Sequence, residues 1–199
     1  MNPEIFAEKI YYYEGVIKDP KELVEMLEIT DAHLTENDAI EKWHEWVTSG
    51  DGEKYVFGQQ KFTDEQKLDS SSEIVRILYL SLKNALTKVG KDYAKSQNID
   101  YIDPAPISIS KYISGAEMGP HVDYHGEPDL EPIMSAVMYL NDDMDGGELH
   151  FTEFDIKLKP KAGSIVVFPS VEPYYHRSSP VVSGVKYMSP AFWIKKLHN

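Results

Sequence analysis

From Pro104 onward the chain changes side every second residue and breaks every few. In Ile107–Ser114, "ISISKYIS", Ile107, Ile109 and Ile113 share one face, while Ser108, Ser110 and Tyr112 share the other. "SAVMYLN", "GELHFTE", "GSIVVFPS" and "GVKYMSPAFWI" follow as further short extended segments. Turn residues separate them, among them Asn141-Asp142-Asp143 and Lys161-Ala162-Gly163. Five or more short strands with little helix between them predict an antiparallel sandwich or barrel.

The first hundred residues read differently, as a helical support region with loops. Asp19-Pro20-Lys21-Glu22 predicts a helix start, with Asp19 as the cap and Pro20 in the first turn. A second start, Ser70-Ser71-Ser72-Glu73, opens a long helix whose stripe is Ile74, Ile77, Leu78, Leu82, Ala85, Leu86, Val89 and Tyr93. So long an apolar stripe needs a broad partner, most simply one face of a sheet. Between the two helices, Asn37 to Asp69 is polar with scattered Trp43, Trp46, Tyr55 and Phe57, which predicts a long loop anchored by aromatics or a lid. The expected whole is one α+β, β-rich domain over residues 1–199. Residues 1–100 support the core and 101–199 form it.

Bulk properties narrow the function. The chain has 199 residues and no cysteine, which excludes disulfides, thiolate metal sites and a cysteine nucleophile, and fits a reducing, cytoplasmic setting. No apolar run approaches a membrane span, and the first residues lack the basic-then-apolar pattern of a signal peptide. A formal net charge of −13 without a basic cluster disfavours nucleic acid as a partner.

Within "GPHVDYHGEP", His121 and Asp123 are two apart, so on an extended strand their side chains point the same way. His176, in "PYYHRSSPV", is a candidate third partner. Two histidines and one carboxylate can form the facial triad of non-haem Fe(II) oxygenases, which leaves coordination positions open. Taken alone, a short His-x-Asp pattern fits a chance pair in a polar loop better than a metal site.

The setting of that pattern changes the weighing. Tyr112-x-x-Gly115, His121-x-Asp123, Tyr139-Leu140-Asn141, Gly146-Gly147-Glu148-Leu149, Pro160-x-x-Gly163, Phe168, His176, Pro180-Val181, Gly184-x-Lys186 and Trp193 follow one another in order. This string resembles the 2-oxoglutarate/Fe(II)-dependent dioxygenases of the prolyl-4-hydroxylase-like branch, over residues 105 to 195. The resemblance implies a double-stranded β-helix, a jelly-roll barrel of the cupin-like kind, with the N-terminal helices packed on one of its sheets. It implies Fe(II) on His121, Asp123 and His176, with 2-oxoglutarate and O2 as co-substrates and ascorbate as a reductant that keeps iron ferrous. Lys186 takes the family's basic position for the distal carboxylate of 2-oxoglutarate, and Tyr112 and Tyr139 are expected to hydrogen-bond the co-substrate. As residues alone, the two tyrosines fit a core role equally well, and a lone strand lysine fits the surface.

The resemblance implies hydroxylation of an unactivated C–H. Peptidyl-proline is the first substrate class, and a free amino acid or other small molecule the second. A zinc site with the same ligands, and a non-catalytic metal-binding jelly roll, are the alternatives outside that chemistry. Leu149 is expected to wall the pocket, and His150 to face away from it. His44 is expected at the surface, His125 in a loop, and Arg177 towards substrate or solvent. Pro190 departs from the pattern. It cannot donate to a β-ladder, so it implies an edge or bulge, and Ser189 replaces the usual hydroxyl only if the register slips.

Overall fold

The computed structural model describes residues 1–50, 53–124, 126 and 129–196; His125 and its expected loop role lie outside the described residues. In chain order the elements are β1 (Glu4–Phe6), β2 (Ile10–Tyr13), α1 (Pro20–Thr30), β3 (His44–Gly50), β4 (Glu53–Phe62), α2 (Glu73–Ser96), β5 (Ser108–Tyr112) and β6 (Met118–His121). There follow β7 (Leu130–Tyr139), β8 (Asp145–Gly146), β9 (Leu149–Phe151), β10 (Ile156–Leu158), β11 (Ile165–Phe168), β12 (His176–Ser178), β13 (Val181–Ser183) and β14 (Lys186–Lys196). An eight-stranded sheet runs β1-β2-β11-β7-β14-β5-β4-β3, and faces a four-stranded sheet ordered β10-β9-β12-β6. β13 and β8 form a small ribbon. This is the expected double-stranded β-helix.

The large sheet is apolar on both faces. On β11, Ile165 and Val167 join the core under the helices, while Val166 and Phe168 join the core between the sheets. β11 therefore reads as an unbroken apolar run rather than an alternation. The stripe of α2 lies on the helix-side core through Val75, Leu78, Leu82, Ala85, Leu86, Val89 and Tyr93. Ile77, expected on that stripe, is exposed. Gly90 brings α2 so close to the sheet that an added Cβ would lie 2.7 Å from a ring carbon of Trp193.

Two expectations are corrected. Asp19 precedes α1 in a left-handed conformation and makes no side-chain cap, so Pro20 alone marks that start. At α2 the cap is Ser72, whose hydroxyl accepts from the Val75 amide at 3.4 Å. The larger correction concerns the N-terminal hundred residues, which are not only helical: they supply β1, β2, β3 and β4 to the large sheet. The stretch expected as loop or lid contains the β3–β4 hairpin, with β4 paired to β5 from Gly58↔Tyr112 to Phe62↔Ser108. Among the described residues, no helix is long and apolar enough to cross a membrane.

Candidate metal and co-substrate site

β12 pairs with β6 so that His176 lies opposite His121, and the ring centroids are 4.4 Å apart. Asp123 is not on the strand. It follows β6 by two residues in a bend, and its carboxylate returns to the two imidazoles. Its Oδ1 is 3.5 Å from His121 Nε2 and 3.7 Å from His176 Nε2. The three side chains each bring one ligand atom within 4.8 Å of the others, a cluster that could hold a metal ion.

The backbone fixes the tautomers. His121 Nδ1 is 2.8 Å from the Gly119 carbonyl, and His176 Nδ1 is 3.2 Å from the Tyr174 carbonyl. A carbonyl only accepts, so each Nδ1 carries a proton and each neutral imidazole turns an Nε2 lone pair towards the other and towards Asp123. Phe168, edge-on to His176 at 4.7 Å, and Phe151 at 5.8 Å hold that ring in place. Burial alone would raise the Asp123 carboxyl. In the absence of a metal, a protonated His121 that donates to Oδ1, the positive charge of a protonated His176 and the Ser135 hydroxyl outweigh burial, and the carboxyl titrates below its usual range. Burial holds His176 below the usual imidazole range, with Asp123 opposing. On His121, burial is outweighed by Asp123 and the Gly119 carbonyl, and the pKa rises. The cluster thus presents an anionic carboxylate and imidazoles with a free nitrogen, a donor set suited to a divalent first-row metal.

A cavity of about 230 Å³ is lined by all three residues of this cluster and also by Lys186. Lys186 is fully buried. Its Nζ donates to the Gly147 carbonyl at 2.8 Å and to the Ser178 hydroxyl at 2.8 Å, and lies 5.2 Å from the centroids of both Tyr112 and Tyr139. No carboxylate lies within ion-pair distance of it among the described residues, and burial pulls its pKa down to about 7. The Tyr139 hydroxyl is buried with no hydrogen-bond partner among the described residues. A buried amine lacking an anion, beside an orphaned hydroxyl, leaves binding capacity for a carboxylate. 2-Oxoglutarate offers both matching chemistries: a carboxylate for the amine and hydroxyl, and a keto acid able to chelate a metal.

The remaining residues fall on both sides of expectation. Leu149 walls the pocket, and His150 on the opposite face approaches Asp155 at 3.4 Å. His44 is exposed beside Glu41, and Arg177 lies 4.0 Å from Glu117, outside the pocket lining. Pro190 sits inside β14, between β7 and β5, yet formal pairing with β5 stops at Met188. The Ser189 hydroxyl donates to the Ser108 carbonyl at 2.7 Å, so the missing proline N–H coincides with the end of that ladder. Ser189 is therefore not a pocket hydroxyl. Ser178 supplies one instead, two residues after His176 on the same face of β12, a relation visible from strand periodicity alone. Trp46 and Gln60 also line the pocket from the hairpin expected to be loop.

Comparison with known proteins agrees with this arrangement. Residues 107–195 match the model of the 2OG-Fe(II) oxygenase superfamily. Prolyl 3-hydroxylase 2 of Mus musculus is 41% identical over 64 residues, covering 30% of this chain and 9% of that protein. The chain therefore spans only a small part of the curated relatives it matches. The viral collagen prolyl hydroxylase vCPH from Paramecium Bursaria Chlorella virus-1, solved as a 2OG complex, superposes with a TM-score of 0.65 at 15% identity, over 96% of this chain and 98% of that one. A Pseudomonas putida prolyl-4-hydroxylase gives 0.64 at 18% identity, over 96% and 93%. At such identities the likeness is one of fold. The matched segment opens one residue before β5 and closes one residue short of the end of β14, so it holds every pocket-lining strand except β3 and β4. Residues 107–195 thus resemble a 2OG-Fe(II) oxygenase domain, and the fold is the one these prolyl hydroxylases share.

Proposed function

We propose that this protein hydroxylates an unactivated C–H of a residue within a polypeptide, most simply a prolyl residue. In this reading His121, Asp123 and His176 hold Fe(II), and Lys186, Tyr112 and Tyr139 hold 2-oxoglutarate. The observation that carries it is the buried Lys186, with no carboxylate at ion-pair distance among the described residues, lining the same cavity as a His–Asp–His cluster. Bound iron supplies the oxidative chemistry: 2-oxoglutarate is decarboxylated to succinate and CO2, one atom of O2 enters succinate, and the other enters the substrate C–H as hydroxyl.

The chain's own residues perform the rest. Asp123 lowers the charge of the metal centre, and the Gly119 and Tyr174 carbonyls keep both imidazoles oriented. Lys186 and the two tyrosines fix one end of the co-substrate, while Leu149, Met188 and Phe192 keep water from the reacting carbon.

A peptidyl substrate is favoured over a free amino acid by the lining. Its charged residues, among those described, are His121, Asp123, His176 and Lys186, all assigned to metal and co-substrate. A free amino acid would bring an ammonium and a carboxylate that need partners there, whereas a residue inside a chain brings neutral amides. vCPH and prolyl 3-hydroxylase 2 carry prolyl hydroxylase names, which supports proline as the residue. The test is mass spectrometry of proline-containing peptides and of free amino acids after incubation with Fe(II), ascorbate and 2-oxoglutarate. Added oxygen on prolyl peptides is expected. Oxygen found only on a free amino acid refutes the peptidyl reading.

A further inference from the structure

Two pocket residues, Trp46 and Gln60, lie outside the segment shared with the oxygenase family. The cross-strand register places Trp46 in a row: Trp46 on β3 opposes Gly58 on β4, Gly58 opposes Tyr112 on β5, and Tyr112 opposes Lys186 on β14. Trp46 and Tyr112 are thus two strands apart, about 10 Å of backbone. Their rings nevertheless meet edge to face, with centroids 5.5 Å apart at 83°.

Two backbone features make this reach. The β3–β4 register shifts between Trp46 and Val47, a bulge of the kind that re-aims a side chain. Gly58 has a φ of +133°, and a Cβ there would lie 1.9 Å from the Lys111 carbonyl oxygen, so that position cannot carry a side chain. Gly58, between them in the row, carries no side chain, and the two rings meet across it. Exposure falls along the row: Trp46 is half-buried, Tyr112 is 1% exposed and Lys186 is 0% exposed. Among the described residues of this row, Trp46 is therefore the side chain nearest solvent.

We propose that Trp46 is a positioning residue for 2-oxoglutarate: it braces the Tyr112 ring across the gap left by Gly58 and closes the flank of the pocket beside Lys186. The inference rests on the reading of Lys186 as the co-substrate's anchor. The expected loss is of co-substrate binding rather than of chemistry, because the ring contact of Trp46 is with Tyr112, which lies opposite Lys186. The other two tryptophans, Trp43 and Trp193, do not line the cavity.

The test combines kinetics and fluorescence. Trp46→Ala is expected to raise the KM for 2-oxoglutarate about tenfold, the order of an edge-to-face contact plus its burial, with kcat within about twofold. Trp46→Phe keeps an aromatic edge on Tyr112 and is expected to stay within about twofold of the parent in KM. Titrating 2-oxoglutarate anaerobically into the Fe(II)-loaded parent should change tryptophan emission, and Trp46→Phe should abolish that change. An unchanged KM in Trp46→Ala, or an emission change that survives in Trp46→Phe, overturns the proposal. If Trp46→Ala fails to fold, the Trp46→Phe titration decides. Lys186→Ala is the control: if it leaves KM unchanged the anchor reading fails, whereas a loss in Lys186→Ala without one in Trp46→Ala sinks only the role of Trp46.

Discussion

Lys186 is the residue whose environment demands a partner. An amine with two neutral acceptors and two aromatic faces, but no carboxylate at ion-pair distance among the described residues, is held near neutrality by burial, with a pKa of about 7. The Glu148 charge opposes this, and the Tyr112 and Tyr139 hydroxyls remain protonated because burial raises both. A carboxylate binds the ammonium form. Below pH 7 that form is already present, so 2-oxoglutarate affinity should hardly change; above it, each bound molecule must also take up a proton. The apparent Kd should therefore rise with pH above 7, approaching tenfold per unit, as isothermal titration of the anaerobic Fe(II) form would show. A flat profile to pH 9 would contradict an ammonium anchor. At the other end, Asp123→Ala should abolish succinate formation and weaken metal binding while the melting transition persists, since Asp123 belongs to neither apolar core cluster. Turnover retained in that variant would refute its place in the ligand set. The triad and Lys186 could be picked out in the sequence because each sits at a fixed offset within a recognisable string. Ser178 escaped although the same two-residue offset from His176 marks it, and Trp46 escaped because nothing local distinguishes it from an anchoring aromatic.

Among the elements, α2 and the sheet illustrate what periodicity can and cannot reveal. The stripe of α2 was legible because one face is buried and the other wet. β2 was not, because Tyr11 and Tyr13 enter the helix-side core while Ile10 enters the barrel core, which erases the alternation that marks a strand. β3 and β4 were hidden because they fall within the stretch from Asn37 to Asp69 that reads as polar with scattered aromatics. The close approach of α2 gives a prediction at this scale. Gly90→Ala gains up to about 1 kcal/mol of helix propensity. It also drives a methyl to 2.7 Å from the buried Trp193 ring, and overpacking of that kind costs about 1–3 kcal/mol. The clash should win by about 1 kcal/mol, which lowers Tm by about 2–4 °C in a chain of this size. A higher Tm would mean that helix and sheet are further apart than described.

For the molecule as a whole, the lysine proposed to anchor the co-substrate also carries a cost when the protein is ligand-free. Below pH 7 the folded protein must bury the Lys186 ammonium without a carboxylate, so the penalty is complete there. Between pH 7 and the ordinary lysine value of 10.5 the unfolded chain holds a proton that the folded one has released, and stability rises with pH through that window. Lys186→Met fills a similar volume with no charge, so it should stabilise the ligand-free protein by about 1 kcal/mol or more, a trade of function for stability. The gain should be larger at pH 6 than at pH 9. The parent should recover its deficit with ligand instead: 2-oxoglutarate at about 100 times its Kd, with metal present, adds about 2.7 kcal/mol. That corresponds to a rise in Tm of about 5–10 °C. In Lys186→Met the rise should largely vanish. Melting curves of both proteins at the two pH values, with and without 2-oxoglutarate, test the whole scheme. If Lys186→Met melts lower than the parent at pH 6, the amine is stabilised within the empty pocket by partners already in the chain, and the site needs no incoming anion.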